Sequence, residues 1–352
     1  MRHLFSIRWQ SALCLSFITI FFATDAFGRD VVRTRSQGRV SGTVKRLTPS
    51  EVVIDVRGIE DTYSVGDVIS IQFDDEPQAL DDARLRIKTG KFLEAMKLLK
   101  SIDVSTVNSD SVAVLQDIDY YLAYCMAQRA LGGAEALEEA GKMMTKFVGK
   151  NKNNYHFYEA NEVIGDILVA LNKADIAEKY YIIAGAAPWP EAKVRTAIAL
   201  ARALQAQGKH DEAIKAFDNV LKGGGGTEDA TRYRLAAQLG KAASLANSNR
   251  GEEGIKLVYD AIKAAELGDT EIHARAYNAM GDCYIAMGNV KEATTAFLHV
   301  DAMYDQHPPL HAEALARLAS LWDQRDRPGR ASTMRKKLNS LYPNSKWVNQ
   351  ST

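Results

Sequence analysis

The sequence predicts a mainly α protein, in which an α-solenoid of about seven helical hairpins follows a small antiparallel, SH3-like β domain. Two observations support this prediction. Apolar residues alternate with a period of two between Val31 and Phe73 and then follow a helical period to the end of the chain. Equivalent positions, most of them Ala or Gly, recur in the helical part at intervals of 36 to 41 residues, which indicates stacked repeats.

The first 28 residues differ from the rest of the chain. Arginines precede an apolar stretch from Ala12 to Ala23, and small residues follow it up to Gly28. This order is typical of a secretory signal peptide over residues 1–28, with cleavage after Ala26 or Gly28. An uncleaved anchor is the alternative, but a bilayer crossing needs roughly 20 apolar residues. We therefore expect an exported protein, periplasmic or associated with the outer envelope, with no integral membrane span after cleavage.

Charge and cysteine content narrow the functional classes. The 44 basic and 44 acidic residues balance, and no lysine or arginine run is long enough to supply a basic face, so nucleic acid is not an expected partner. Cleavage would leave Cys125 and Cys283, each within an apolar helical pattern. An exported protein can form disulfides, but the pattern favours two buried free thiols.

The segment 29–78 is predicted to be the β domain and its linker. Four or five short strands are separated by turn sequences at Thr48–Ser50, Arg57–Gly58 and Val65–Asp67. A domain of this size buries too little surface to be very stable alone. We therefore expect it to dock on the helical segment 79–348.

The clearest repeat lies between Ala276 and Pro308. Small residues, Gly281 and Ala293, are twelve positions apart, where the two helices of a hairpin would touch. Aromatic side chains would fill the gap to the next hairpin. The residues that carry the pattern are Tyr277, Met280, Gly281, Tyr284, Ala293 and Phe297. This pattern resembles the tetratricopeptide (TPR) repeat.

The same spacing recurs along the chain. Small residues twelve apart are found in four more places: Ala83 and Ala95, Gly165 and Ala177, Ala201 and Ala213, and Ala319 and Ala331. Two further hairpins are degenerate, and Tyr124 and Lys241 are taken as their equivalents of Gly281. A slightly long turn is predicted at 247–251 in the second of them. The TPR resemblance covers residues 79–348.

The C-terminal Tyr342-Pro343-Asn344-Ser345 adds a narrower resemblance. It is similar to a Tyr-Pro-x-Ser element of bacterial envelope TPR proteins, such as the outer-membrane assembly lipoproteins and the TPR protein of the Tol system. Those families are binding adaptors, so the resemblance implies a non-catalytic interaction scaffold or assembly adaptor. The chain departs from them because it lacks a lipid-attachment cysteine and carries an additional β segment.

No catalytic or cofactor motif is recognised. Nucleophile-elbow and zinc-protease sequences are absent. His307 and His311 have the spacing of metal ligands on a helix, but the intervening Pro308 and Pro309 argue against a site there. The prediction is therefore a protein that is not an enzyme and has no cofactor and no metal.

Projection of the repeat register places charged residues on the first helix of each hairpin, which lines the concave groove of a solenoid. The projected residues are Glu159, Glu162 and Asp166, then Arg195 and Arg202, then Arg234 and Lys241, and last Arg275, Asn278 and Asp282. An acidic patch beside a basic stripe suits an extended protein or peptide segment that carries both charges. The alternative is that these charges are only the hydrophilic side of amphipathic helices.

Two other functions remain open at this point. The protein could be an accessory subunit that positions a cell-wall enzyme, with the β domain binding glycan. It could also be a structural protein that self-associates.

Overall fold

A computed structural model describes residues 30–223 and 228–350. It confirms a mainly helical protein in which a small antiparallel sheet precedes a solenoid. The predicted signal peptide, residues 1–28, lies outside the described residues. Among the described helices, none combines the length and the apolar character that a bilayer crossing requires.

The sheet has five antiparallel strands in the order β4-β3-β2-β1-β5. The strands are β1 (Asp30–Thr34), β2 (Gly38–Leu47), β3 (Glu51–Val56), β4 (Ile59–Ser64) and β5 (Val68–Gln72). The first half of β2 pairs with β1 and its second half with β3, so this long strand joins the two parts of the sheet. Gly42 lies where the pairing partner changes, and a Cβ atom there would come within 2.2 Å of the Asp55 carbonyl oxygen. The predicted turns all fall between strands.

Seven hairpins and a short last helix form the solenoid. The hairpins are α1 (Gln78–Lys88) with α2 (Phe92–Ser101), α3 (Val112–Leu131) with α4 (Leu137–Lys150), α5 (Phe157–Ala170) with α6 (Ala174–Gly185), α7 (Pro190–Ala206) with α8 (His210–Lys222), α9 (Glu228–Asn247) with α10 (Gly251–Ala264), α11 (Thr270–Ala286) with α12 (Val290–Met303), and α13 (Pro308–Gln324) with α14 (Pro328–Leu341). Helix α15 (Lys346–Gln350) follows. The predicted number of hairpins is confirmed.

Each turn inside a hairpin contains one residue in the left-handed backbone region, which lets the chain reverse direction after the first helix. These residues are Gly90, Gly133, Asn172, Gly208, Asn249, Gly288 and Asp326. Asparagine and aspartate replace glycine in three turns because they tolerate this conformation best among the other residues. The turn at Ser248–Arg250 has three residues, so the prediction of a long turn there was wrong. The longer turn is Gly132–Ala136, between α3 and α4.

The sheet docks on the first hairpin, as its small size predicted. One hydrophobic core contains Val32 and Ile54 of the sheet, Leu80 and Leu99 of α1 and α2, and Ile118 of α3. The turn between β4 and β5 also reaches the loop before α7. A Cβ atom at Gly66 would lie 2.6 Å from the Trp189 ring. The β domain therefore caps the N-terminal end of the solenoid.

A buried ionic network joins the linker to the solenoid. Arg84 of α1 donates to Glu76 of the linker at 2.6 Å and to Asp117 of α3 at 2.9 Å. Asp117 also accepts a hydrogen bond of 2.7 Å from the Tyr155 hydroxyl. Burial acts to raise the pKa of Asp117, but His156, Arg84 and Tyr155 together lower it. Asp117 is therefore a buried carboxylate that remains charged, and Arg84 ties it to the linker.

Packing inside the hairpins shows that the position assigned from the sequence in the fifth hairpin, Lys241, is one residue too early. Gly281 lies under the Phe297 ring, where a Cβ atom would be 2.4 Å from it, as the TPR pattern requires. In the fifth hairpin the equivalent residue is Ala242. Gly254, twelve positions later, packs on Ala242, where a Cβ atom would come 2.9 Å from its carbonyl oxygen. Lys241, taken as the equivalent from the sequence, instead bonds Asp218 at 2.6 Å.

The two cysteines lie inside the solenoid. Cys125 and Cys283 are both buried free thiols, as predicted. Burial raises the pKa of each thiol to about 12, so neither is a reactive thiolate at neutral pH.

The solenoid closes on itself. The Gly133 carbonyl in the α3–α4 turn accepts a hydrogen bond of 2.9 Å from the Asn344 amide, after α14. A Cβ atom at Gly133 would be 3.0 Å from Ser345 Cβ, and one at Gly132 would be 3.1 Å from Pro308 Cβ. The second hairpin thus touches both the start and the end of the seventh. The Tyr-Pro-x-Ser element supplies half of this contact, which we call the closing contact.

Candidate functional site

Four successive hairpins form a cavity of about 280 Å³ on the concave face of the solenoid. The first helices of hairpins three to six, α5, α7, α9 and α11, supply almost all of its wall. The charged residues that line it are Glu162, Asp166, Arg195, Arg202, Arg232, Glu271 and Arg275. The uncharged ones are Val169, Tyr181, Ile198, Ala199, Tyr233, Ala236 and Ile272. A cavity near the lower end of the ligand-pocket range, about 300–1,000 Å³, accommodates a short segment and not a folded domain.

Ion pairs hold three of the four arginines of the cavity. Arg195 donates to Glu162 across α7 and α5 at 2.7 Å. Glu271 accepts from both Arg275, at 2.7 Å, and Arg232, at 2.8 Å. Burial acts to raise the pKa of Glu271, but the surrounding arginines lower it to about 2. Glu271 is therefore ionised at neutral pH, and its oxygens already accept hydrogen bonds from Arg232 and Arg275.

Arg202 is the exception in this cavity. Over residues 30–223 and 228–350, no carboxylate oxygen lies within 4.0 Å of its guanidinium to form an ion pair. Burial and the positive charge of Arg275 lower the pKa of Arg202 to about 9, although Glu271 and Asp166 act in the opposite direction. Glu271 and Asp166 therefore act on the charge of Arg202 from beyond ion-pair distance.

One guanidinium nitrogen of the cavity wall is unsatisfied. Arg195 Nε is buried and has no hydrogen-bond acceptor, although Nη2 of the same side chain binds Glu162. Buried N–H groups are nearly always paired in native structures. The cavity thus presents one buried donor on α7 that lacks an acceptor.

The acidic side of the cavity is easily protonated. Burial raises the pKa of Glu162 to about 7; Arg195 acts against this, while the nearby charges of Asp166 and Glu159 add to it. Tyr124 of α3 and Tyr181 of α6 also face this cluster. Burial raises the pKa of Asp166 too, and its carboxyl group accepts a hydrogen bond of 2.8 Å from the Tyr181 hydroxyl.

Five of the ten groove residues projected from the sequence line this cavity, namely Glu162, Asp166, Arg195, Arg202 and Arg275. The structure places the other five elsewhere. Glu159 lies at the start of α5 beside His156, with 3.8 Å between the His156 Nδ1 and Glu159 Oε2 atoms. Arg234 is exposed on α9 and is not part of the cavity wall.

The remaining three residues face neighbouring helices. Lys241 is paired with Asp218 of α8. Asn278 donates to the Leu310 carbonyl at 3.0 Å, and Asp282 lies 3.2 Å from an Arg317 nitrogen of α13. Burial raises the pKa of Asp282 to about 7, while Arg317 opposes this shift. The contacts of Asn278 and Asp282 belong to the junction between the sixth and seventh hairpins, and that of Lys241 to the junction between the fourth and fifth.

The projection missed Arg232, Glu271 and Ala236. Ala236 takes the position relative to Ala242 that Arg195 takes relative to Ala201, and it lies two residues after the projected Arg234. Arg232 and Glu271 lie ten positions before Ala242 and Gly281, one helical turn before the projected residues. Extending the projection by one turn toward the helix start would have found both.

The two histidines considered for metal binding, His307 and His311, contact different residues. The His311 ring nitrogens are each 2.8 Å from an oxygen, one of Tyr342 and one of Asp301. His307 Nε2 is 2.9 Å from the Thr270 hydroxyl. In the described part of the chain, no group of three or more His, Cys, Asp or Glu residues is arranged to hold a metal ion.

Comparison with known proteins agrees with this fold. A family model described as tetratricopeptide repeat matches residues 274–307, the α11–α12 hairpin. No curated protein matches the sequence. A tetratricopeptide repeat protein from Parabacteroides merdae is similar in structure, with a TM-score of 0.51, 15% identity, and coverage of 78% of this chain and 97% of that one.

Two proteins described in complex with a factor or a peptide have similar TM-scores. A Rap protein complexed with competence and sporulation factor has a TM-score of 0.54, 14% identity and coverage of 78% of each chain. NprR in complex with its cognate peptide NprX has a TM-score of 0.54, 12% identity, and coverage of 74% of this chain and 75% of that one. The chain therefore carries a tetratricopeptide repeat and has the fold of TPR-like solenoid proteins.

Proposed function

We propose that the protein is a non-catalytic interaction scaffold or assembly adaptor of the cell envelope, which holds an extended protein segment or a peptide in its concave cavity. The observation that carries this proposal is the cavity itself. Four consecutive hairpins each contribute their first helix to its wall, and one buried donor in that wall, Arg195 Nε, has no acceptor.

Two similar folds add support at the level of analogy. The Rap protein and NprR are both described in complex with a peptide or factor. At 14% and 12% identity this likeness concerns the fold alone. The proposal therefore rests on the residues of the cavity in this chain. Localisation to the envelope rests on the signal-peptide pattern of residues 1–28 and the resemblance of the C-terminal element.

The proposal can be tested by crosslinking and pull-down from the native envelope. The bait would be the mature chain, beside a variant in which Arg195, Arg202 and Arg275 are changed to Glu. Arg234→Glu is the matched control, because Arg234 is exposed on α9 outside the cavity. We expect partners that the unchanged protein and the control capture and the triple variant loses.

Other outcomes would assign the site elsewhere. Partners that all three proteins retain would move binding to the β domain or the convex face and contradict the proposal. Glycan capture by the chain would favour the accessory role for a cell-wall enzyme. A molecular mass that rises with concentration would favour self-association. Cell fractionation of the tagged full-length protein tests the expected export.

A further inference from the structure

His156 lies in a buried site between α3 and α5, where aromatic rings enclose it. Its ring stacks on Tyr120, with 3.6 Å between the ring centroids and 11° between the ring planes. The Tyr155 ring lies 4.0 Å away, and the Tyr121 ring meets the imidazole edge-on at 5.2 Å. Aromatic faces attract a cation. This enclosure therefore accommodates an imidazolium ion.

Two carboxylates face the two ring nitrogens of His156. The Nε2 atom is 3.4 Å from an Asp117 oxygen, and the Nδ1 atom is 3.8 Å from a Glu159 oxygen. These are ion-pair distances, longer than those of ordinary hydrogen bonds. A protonated imidazole carries a proton on both nitrogens, whereas the neutral ring carries only one. The charged ring is therefore the form that matches both carboxylates.

Titratable groups from each element that packs on His156 face it. They are Asp117, Tyr120 and Tyr121 of α3, Tyr155 of the loop before α5, and Glu159 of α5. Arg84 of α1 reaches the same Asp117 and connects it to Glu76 of the linker. Burial raises the pKa of each of the three tyrosines, so their hydroxyl groups stay neutral around neutral pH.

The protonation of His156 is coupled to folding. Burial acts to lower its pKa, but Asp117 and Glu159 raise it above the ordinary value of 6.5. In the two carboxylates burial acts to raise the pKa, and His156 is the largest influence that lowers it below the ordinary value, so both stay ionised where His156 titrates. The stability that the imidazolium contributes is therefore fully present below the pKa of the unfolded chain and is lost as the pH rises through the folded pKa.

We propose that this site is a pH-sensitive clamp, in which a charged His156 ties α3 to α5 and, through Asp117 and Arg84, to the linker of the β domain. When His156 loses its proton, one of its two N–H donors is lost, and no cation remains between Asp117 and Glu159. Alkaline pH then loosens the attachment of α5 and the linker to α3. None of these residues lines the concave cavity, so the inference does not depend on the proposed function.

NMR titration of the mature protein tests the charge of His156 directly. The His156 ring signal, assigned by its absence in His156→Gln, should titrate at a higher pH in the folded protein than in the protein unfolded in urea. Glu159→Gln should lower the folded midpoint because it removes one of the two carboxylates. Glu252→Gln, at an exposed glutamate of α10, is the matched control and should leave it unchanged. A folded midpoint at or below the unfolded one would overturn the proposal.

Urea denaturation from pH 6 to pH 9 tests the contribution of the clamp to stability. The ratio of the unfolding equilibrium constants of His156→Gln and the unchanged protein should fall at least about threefold over this range, because the advantage of histidine is greatest at pH 6. Groups that titrate in both proteins cancel in this ratio. The control His299→Gln, at an exposed histidine of α12, should give a constant ratio. A ratio for His156→Gln that does not depend on pH would overturn the clamp.

Glu159→Gln covers the case in which His156→Gln does not fold. Its carboxylate is half-exposed, and the substitution leaves the aromatic enclosure intact. The ratio of unfolding constants for this variant should fall with pH in the same direction and by a smaller factor. A constant ratio, or one that rises with pH, would count against the clamp.

Hydrogen exchange locates the loosening. The Ala160 amide donates to the His156 carbonyl at 2.8 Å, and the Ala213 amide donates to the Lys209 carbonyl at 3.0 Å at the equivalent place in α8. Protection factors remove the intrinsic pH dependence of exchange. Protection of Ala160 should fall at least about threefold from pH 6 to pH 9, while that of Ala213 stays unchanged. An equal fall at both amides, or none at Ala160, would overturn the assignment of the clamp to this junction.

Discussion

The closing contact between the second and seventh hairpins can be tested with a single methyl group. Gly133 and Gly208 occupy the same position in their turns and have φ angles of 81° and 74°. Alanine in this conformation costs about 1–2 kcal/mol at either position. A Cβ atom at Gly208 would meet nothing within 4 Å, whereas at Gly133 it would lie 3.0 Å from Ser345 Cβ and 3.1 Å from Tyr342 Cβ.

Relieving that overlap requires the C-terminal segment to move away. The hydrogen bond from the Asn344 amide to the Gly133 carbonyl, 2.9 Å long, would then be lost, which adds about 1 kcal/mol. We therefore expect Gly133→Ala to lower the free energy of unfolding by about 2–3 kcal/mol and Gly208→Ala by about 1–2 kcal/mol.

The measurements are urea denaturation for the free energies and hydrogen exchange of the Asn344 amide for the contact itself. Exchange at Asn344 should accelerate in Gly133→Ala and stay unchanged in Gly208→Ala. Equal losses of stability in the two variants, together with unchanged exchange at Asn344, would refute the closing contact.

Three further predictions follow from buried residues. Gly281→Ala should destabilise the protein by about 1–3 kcal/mol in thermal unfolding, because the new methyl group would overlap the Phe297 ring; Gly329→Ala, with open space around it, should not. Asp117→Asn should cost about 3–5 kcal/mol, because it leaves the buried Arg84 with an incomplete set of partners, and a loss below 1 kcal/mol would contradict this role. Binding of an acidic probe peptide by the cavity should strengthen about two- to fivefold from about pH 8 to about pH 6, because Glu162, whose burial raises its pKa to about 7, then loses a negative charge that repels the peptide; a Glu162→Gln variant with the same pH dependence would contradict this origin.

Most of the fold was predictable from local patterns. A period of two over Val31–Phe73 and small residues twelve apart depend only on neighbours in sequence, so they gave the strands and the hairpins correctly. The error at Lys241 has a physical cause. Gly240, Lys241 and Ala242 lie side by side, and both Gly240 and Ala242 are small enough to pack against another helix. Only the contact with Gly254 decides between them.

The site was predictable in part, for a different reason. A register says which helix face points to the groove, and it placed Arg195, Arg202 and Arg275 on that face. The curvature of the solenoid decides which of those faces meet. Asn278 and Asp282 have the right register, but their side chains contact α13 and do not line the cavity. Among the four arginines of the cavity, Arg202 alone forms no ion pair within the described residues. No sequence pattern signals this, because it depends on distances between four helices.

The closing contact also fixes how many repeats this array can have. Open solenoids tolerate the gain or loss of a repeat, because each unit touches only its neighbours. Here Gly133 and Asn344 meet across five hairpins through a bond of 2.9 Å. One hairpin more or less would displace Asn344 by at least an interhelical spacing, about 8–10 Å. The closing contact therefore constrains the number of hairpins between the second and the seventh, because only this number brings Asn344 to Gly133.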